Sequence, residues 1–513
     1  MTVVQQGSVN LTSISVPDVI VQIVPPQQNY INGIATDILG IVGTATWGPV
    51  NSPTIVASYA DYQTKFGSLQ ARKYDAGTAV YYASLNGAQN MRIVRVTDGT
   101  DAAATVAIGT TGVTITAKYT GTTGNAISVI LATGTAANSW KVTVTLPGQP
   151  PEVFDNVAAG LTANAVWVAI AAAINSGSGA LRGPSQLVVA SAGASTSAPT
   201  AGTSTLTGGT DGVASVTSTQ MVGTDGTSRT GMYALRKTGC AVAMLTDCDT
   251  STTWSTQVTY GLSEGTYMIM TGPAGDTISN AVTTKASASV DSYAGKLLFG
   301  DWCYIADPVN QITRLISPQS FLAGRLAALS PEQSALNKPL AGIVATQKTN
   351  GNAVYSNADL KALADAGIDV ITNPCPGGAY FGSRIGRNTS SNPVINGDNY
   401  PRLTNYIAYS LDRAMGIYVG QLQTPSQREQ ARGAVSAFLG NMWTAGMIGD
   451  VNNPGKQPFS VQLDAGNNPP SQVALGYEQV SVRVTYLSVI TVMLISVEGG
   501  QSVSINVASI TPA

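Results

Sequence analysis

The run QVSVRVTYLSVITVMLISV at residues 479–497 constrains this chain more than any other stretch. In its first half Val480, Val482, Val484 and Tyr486 alternate with Ser481, Arg483, Thr485 and Leu487. Period two with β-branched residues predicts a strand half-buried in a sheet. Residues 489–495 are apolar almost throughout, which suits a strand covered on both faces. The run is too short, and too dotted with Ser, Thr and Arg, for a membrane span. After the hinge Glu498-Gly499-Gly500, Val503, Ile505 and Val507 alternate again, with no neighbour in sequence left to pair with. That piece is expected to pair with another molecule.

Composition narrows the function. Only 11% of the 513 residues are charged, and 26 basic side chains nearly balance 28 acidic ones. The balance excludes a nucleic-acid-binding surface, and so little charge implies that much of the surface meets other protein. Histidine is absent, which removes the commonest general base and the usual zinc ligand. Cys240, Cys248, Cys303 and Cys375 are widely spaced without a CxxC, as buried thiols of a reducing compartment would be. No signal peptide is expected, because the first residues have neither a basic nor an apolar block.

In chain order, residues 1–17 read as an extended arm. No local turn folds it back, and it can reach up to roughly 55 Å. Val9 and Leu11 are its candidate strand residues. Residues 18–97 read as a compact α/β segment. Its strands fall at 19–24, 38–43, 54–57 and 91–96, with a helix capped by Ser58 and stopped by Gly67, and a second helix at 75–85. Residues 98–215 are rich in Thr, Ser, Ala and Gly and read as a small inserted β-rich domain. Its strands are placed at 113–118, 127–132, 140–146 and 186–190, its helix at 163–174, and 193–202 is read as a loop. Residues 216–390 alternate strand and helix, the pattern of a mainly parallel sheet. Strands are expected at 241–245, 267–270, 302–306, 340–344 and 368–371. Residues 391–497 supply two helices, a loop at 451–470 and the strands described above; 498–513 form a second arm. The fold class is therefore α/β and α+β, multidomain. The expected core is formed by the N- and C-terminal parts, with an α/β middle domain, a small β-rich outer insertion and extended terminal arms.

The strand-end aspartates Asp247, Asp249 and Asp307 are the candidates for a ligand site. Without histidine or a glycine-rich fingerprint they read as turn and helix caps. Gly43 and Gly48 have the spacing of a phosphate loop, but Pro49 stands where Lys is needed. No enzyme, cofactor or metal site is expected.

Residues 41–67, IVGTATWGPVNSPTIVASYADYQTKFG, followed by GAQNMRIVRV at 87–96, resemble the N-terminal block of contractile tail sheath proteins of bacteriophages and related injection machines. AKYTGTTGNAISVIL at 117–131 and LTGGTDG at 206–212 resemble the segments that bracket the outer insertion in that family. Residues 353–372 and the succession after residue 399 also match its order. The resemblance implies a subunit that polymerises as stacked hexameric rings around a tail tube. The rings are metastable when extended, and contract to drive the tube through a bacterial envelope. It implies the tail tube protein, baseplate and tail terminator proteins as partners, no nucleic acid, no direct membrane insertion, and a place in the virion after assembly in the host cytoplasm. Val482, Val484, Tyr486, Val492 and Leu494 would host neighbours' arms. Arg402, Arg413, Arg428 and Arg432 would contact the tube or a neighbour. A bacteriocin or injection-system sheath is the alternative, and a surface-layer or adhesin protein is the rival from another class.

Overall fold

A computed structural model describes residues 31–162, 164–179 and 182–495, with the two-residue strands Gln5–Gln6 and Gln22–Ile23. Val9, Leu11, Val503, Ile505 and Val507 lie outside the described residues. The first arm differs from its expectation in one respect: Gln5–Gln6 pairs in parallel with Gln22–Ile23 of the same chain. The residues between them supply the length that a parallel connection needs.

The body is built on a seven-stranded sheet. Its order is Ile368–Asp369, Gly295–Leu298, Tyr267–Thr271, Val242–Leu245, Ile38–Gly43, Asn90–Arg95 and Thr54–Val56, all parallel except the last. Residues 38–95 and 242–369 thus share one sheet. The segment assigned to a core with the C-terminal part instead completes the α/β domain. The physical reason is that ILGIVG and VAML are buried at every position, so each needs a strand neighbour and a covered face on both sides. Leu39 and Ile41 face the helices Ala76–Leu85 and Gln319–Ala328, while Ile38 and Val42 face the opposite core with Met232 and Tyr260.

Two further expectations are corrected, and one strand is added. Cys303–Ala306 is a strand, but it pairs antiparallel with Thr313–Ile316 and Ala345–Thr346 in a separate small sheet. Residues 340–344 are not a strand. Gly295–Leu298, a central strand, carries no readable strand signal because Lys296 interrupts GKLL.

The insertion forms its own unit. One sheet has the order Glu152–Val157, Trp140–Thr145, Ser128–Thr133, Gly202–Thr205; the other has Val188–Ala192, Val113–Ala117, Thr105–Ile108. The helix Asn164–Ser176 packs Trp167, Ile170 and Ile174 among Val129, Val144, Phe154 and Val188. Gly202–Thr205 begins where only a loop is legible, because GTST has no apolar member and its pairing to Ser128–Thr133 is long-range.

Residues 399–495 form a C-terminal module. The helices Asn399–Met415 and Pro425–Thr444 bring together Leu403, Ile407, Val435, Phe438, Leu439 and Met442. The loop at 451–470 contains a strand, Phe459–Gln462, which pairs antiparallel with Ser481–Val484.

Candidate assembly interface

The hairpin of the C-terminal module pairs Phe459 with Val484, Ser460 with Arg483 and Val461 with Val482. Val482, Val484 and Tyr486 lean on the helical core, as their alternation requires. Tyr486 stacks edge-on against Tyr400 at 5.8 Å, and its hydroxyl lies 3.2 Å from Thr404 Oγ1. Asn399 Nδ2 donates to Leu487 O at 3.2 Å. Beyond that bond the chain has no sheet partner among the described residues. Here the structure overturns the expectation of a doubly covered strand at 489–495. Ile490 is 72% exposed, Val492 84% and Leu494 88%, and no strand is formed. Burial on both faces demands partners that the described residues do not supply. A groove of about 960 Å³ runs beside the segment, lined by Tyr400, Ile407, Leu411, Val482, Val484 and Tyr486 among others.

The four arginines separate. Arg402 is buried and donates to Leu329 O (2.5 Å), Ser330 O (2.9 Å) and Gln333 O (3.3 Å). Burial pushes its guanidinium down to about 10. Arg402 is therefore withdrawn from the set of surface contacts: it fastens a helix to the loop after Ala328. Arg428 pairs with Glu478 at 3.0 Å and Arg432 with Glu429 at 2.6 Å. Arg413 is exposed and, among the described residues, has no carboxylate partner.

The motifs that flank the insertion converge on one polar junction. Asp211 of LTGGTDG accepts at Oδ1 from Thr122 N and Thr122 Oγ1, at 2.7 and 2.8 Å, and at Oδ2 from Arg72 at 2.7 Å. Arg95, from the strand of the central sheet, is fully buried and donates to Gly48 O, Thr120 O and Asp211 O. A charged donor serving backbone carbonyls is worth more than a neutral one. Gly121 is required here, because a Cβ would meet Thr46 O at 2.0 Å and its φ is +130°.

Asp247, Asp249 and Asp307 do not gather into a site. Asp247 accepts from Ser317 N, Asp249 pairs with Lys73 at 2.9 Å, and Asp307 closes its own turn with Asn310 and Arg314. Among the described residues no group of His, Cys, Asp or Glu is placed to hold a metal ion, and no helix is long and apolar enough to cross a membrane. Sequence reasoning missed Lys296, Asp369 and Asp398, which meet in the interior with no side chain exposed. No strand is legible around Lys296, and Asp369 stands out only as a charge within the strand expected at 368–371.

No protein-family model and no curated protein matches the sequence. Solved structures do. A sheath tail protein from Listeria innocua aligns over 89% of this chain and 96% of its own, with TM-score 0.60 and 14% identity. A sheath tail protein from Desulfitobacterium hafniense aligns over 87% and 94%, with TM-score 0.57 and 15% identity. The PVC sheath of an extracellular contractile injection system, in its contracted state, aligns over 96% and 99%, with TM-score 0.55 and 12% identity. At these identities the likeness is one of fold, and the fold is that of contractile sheath proteins.

Proposed function

We propose that this chain, with the fold of contractile sheath proteins, is the structural subunit of a contractile phage tail sheath. It polymerises as stacked hexameric rings around a tail tube and contracts from a metastable extended state to drive the tube through a bacterial envelope. The observation that carries the reading is the exposed apolar segment at 489–495, which leaves a hairpin whose Ser481–Val484 strand has no second neighbour among the described residues. Single globular chains seldom leave five large apolar side chains in a row of seven uncovered. A strand lent to the open edge of the next copy covers them and satisfies that edge.

A heterologous contact of this kind repeats without closing and builds a helical filament. At about 0.5–1.5 kcal/mol net per hydrogen bond, a five-bond strand contributes roughly 3–7 kcal/mol before ordering costs. Val503, Ile505 and Val507 are the lent strand, and Val482, Val484, Tyr486, Val492 and Leu494 the hosts. Val9 and Leu11 provide a second arm, anchored upstream by the Gln5–Gln6 pairing. Arg413, with Arg428 and Arg432 at a rim, faces the tube or a neighbour. The tail tube, baseplate and tail terminator are the partners. The chain works without a catalytic centre, because two packings of the same interfaces store the energy.

The test is deletion of residues 501–513 or 1–16. Folded subunits that form no tubes by negative-stain microscopy are the expected outcome; normal tubes from both truncations sink the arm assignment. Particles purified from the source cell distinguish a phage tail, with capsid, from the sheath of a bacteriocin or injection system, without one.

A further inference from the structure

The central sheet has two edges, and they are finished differently. Ile368–Asp369 is buried, and Arg384 N, Ile385 N and Gly386 N bind Val370 O and the Asp369 carboxylate beside it. Thr54–Val56 lies at the surface, and Ile55 is 59% exposed. An exposed edge with an apolar side chain is a template for another strand.

The direction of each backbone group on that edge follows from the ladder. Val96 N donates to Gly43 O, and Arg95 O accepts from Asn51 N. Even-numbered residues of Asn90–Arg95 therefore face Ile38–Gly43, and odd-numbered ones face Thr54–Val56. The bonded pairs are then Thr54 with Ile93 and Val56 with Met91. Ile55 turns its own N–H and C=O outward, and so does Ala57, two residues on.

Both of the groups that a parallel partner residue would bridge are occupied by side chains. Lys65 Nζ donates to Ile55 O at 2.8 Å, and Ala57 N donates to Asp61 Oδ2 at 3.0 Å. Lys65 and Asp61 also bind each other at 2.8 Å, one turn apart on the helix Tyr59–Phe66. Ser58 caps that helix, and Tyr62 and Phe66 bury its other face, so the pair is held in register with the edge. An antiparallel partner would likewise find Ile55 O taken.

We infer that Asp61 and Lys65 form a gate that closes the Thr54–Val56 edge to strand addition, leaving Ser481–Val484 as the edge at which a second copy pairs. The closing of the edge stands on its own geometry; the choice of Ser481–Val484 rests on the assembly reading above.

The test compares the full-length wild type with Lys65→Met, Lys65→Arg and the double variant Ile55→Pro/Lys65→Met. Light scattering and negative-stain microscopy follow each on incubation, with circular dichroism melts as the folding control. Lys65→Met keeps the stem and removes the ammonium. It is expected to scatter several-fold more than wild type through irregular aggregates while melting cooperatively. Lys65→Arg restores the donor and should behave as wild type. Ile55→Pro removes the last outward N–H without touching a ladder bond, and should abolish the added scattering. Scattering from Lys65→Met equal to wild type overturns the gate, as does aggregation that survives Ile55→Pro. Whether wild type builds ordered tubes is read separately, so failure of the sheath reading and failure of the gate are distinct results.

Discussion

Lys296 and Asp398 meet at 2.7 Å with neither side chain exposed, joining a central strand of the α/β sheet to the residue that begins the first helix of the C-terminal module. Asp369, on the neighbouring strand, binds the same ammonium at 2.6 Å. One cation therefore serves two carboxylates. The remaining lone pairs are filled by Tyr267 and Ser334 at Asp398, and by Ser383, Ile385 N and Val370 N at Asp369. Burial alone would push the lysine down, but the two carboxylates outweigh it and raise it.

Lys296→Met is expected to be severe. It leaves two buried carboxylates facing each other without a counter-ion, a change worth about 3–5 kcal/mol. Urea denaturation of the variant against wild type measures it. A loss under about 1 kcal/mol would show that the knot does not hold the C-terminal module to the body.

The acid limb of the stability profile should divide between two aspartates. At Asp369 burial would raise the carboxyl, but Lys296 and the hydrogen bonds hold it below its usual range. A folded value below the unfolded one stabilises above the unfolded value and is lost as pH falls through the folded one. Asp75 works in the opposite sense. Burial raises it to about 6, against the hydrogen bonds from Thr78 and Gln70. Its ionised form therefore weakens the fold as pH rises from about 4 through 6. All three of those bonds reach Oδ2; Oδ1 accepts no hydrogen bond and has only the Arg72 guanidinium 3.8 Å away. Asp75→Asn keeps the cap and removes the buried charge. Its stability relative to wild type should grow between pH 5 and pH 7.5, by about 1.4 kcal/mol. Denaturant melts at the two pH values check this, and an unchanged difference refutes it.

Asp211→Ala should loosen the insertion without unfolding it. It strips Arg72 of the nearer of its two carboxylates and the turn at Thr122 of its acceptor, while the insertion's own core is untouched. A cost of about 1–3 kcal/mol at the junction is expected. Limited proteolysis should cut near residues 98–101 and 211–215 and release an intact fragment. A cleavage pattern identical to wild type would mean that the knot is redundant.

Val492→Glu and Leu494→Glu should leave the subunit's melting temperature unchanged, because both side chains face solvent. Either should abolish polymer formation, which sedimentation velocity reads. A loss of monomer stability would show that the segment folds onto its own chain.

Local chemistry made much of the fold legible. Ser58 and Gly67 bound the helix Tyr59–Phe66, Asp75 caps Ala76–Leu85, and the four-residue stripe of Leu403, Ile407 and Leu411 marks Asn399–Met415. These signals sit within a few residues of what they specify, so local chemistry sets the elements, and the 3.6- and 2-residue periods set which faces they bury. Tertiary structure decided which strands lie side by side. Ile38–Gly43 pairs with Val242–Leu245 across the whole insertion, and Gly295–Leu298 becomes a central strand despite its lysine because Asp369 and Asp398 arrive from elsewhere to neutralise it. Residues 489–495 have the composition of a buried strand and, among the described residues, no sheet partner. What covers an apolar strand depends on which open edge can reach it, and no local pattern encodes that.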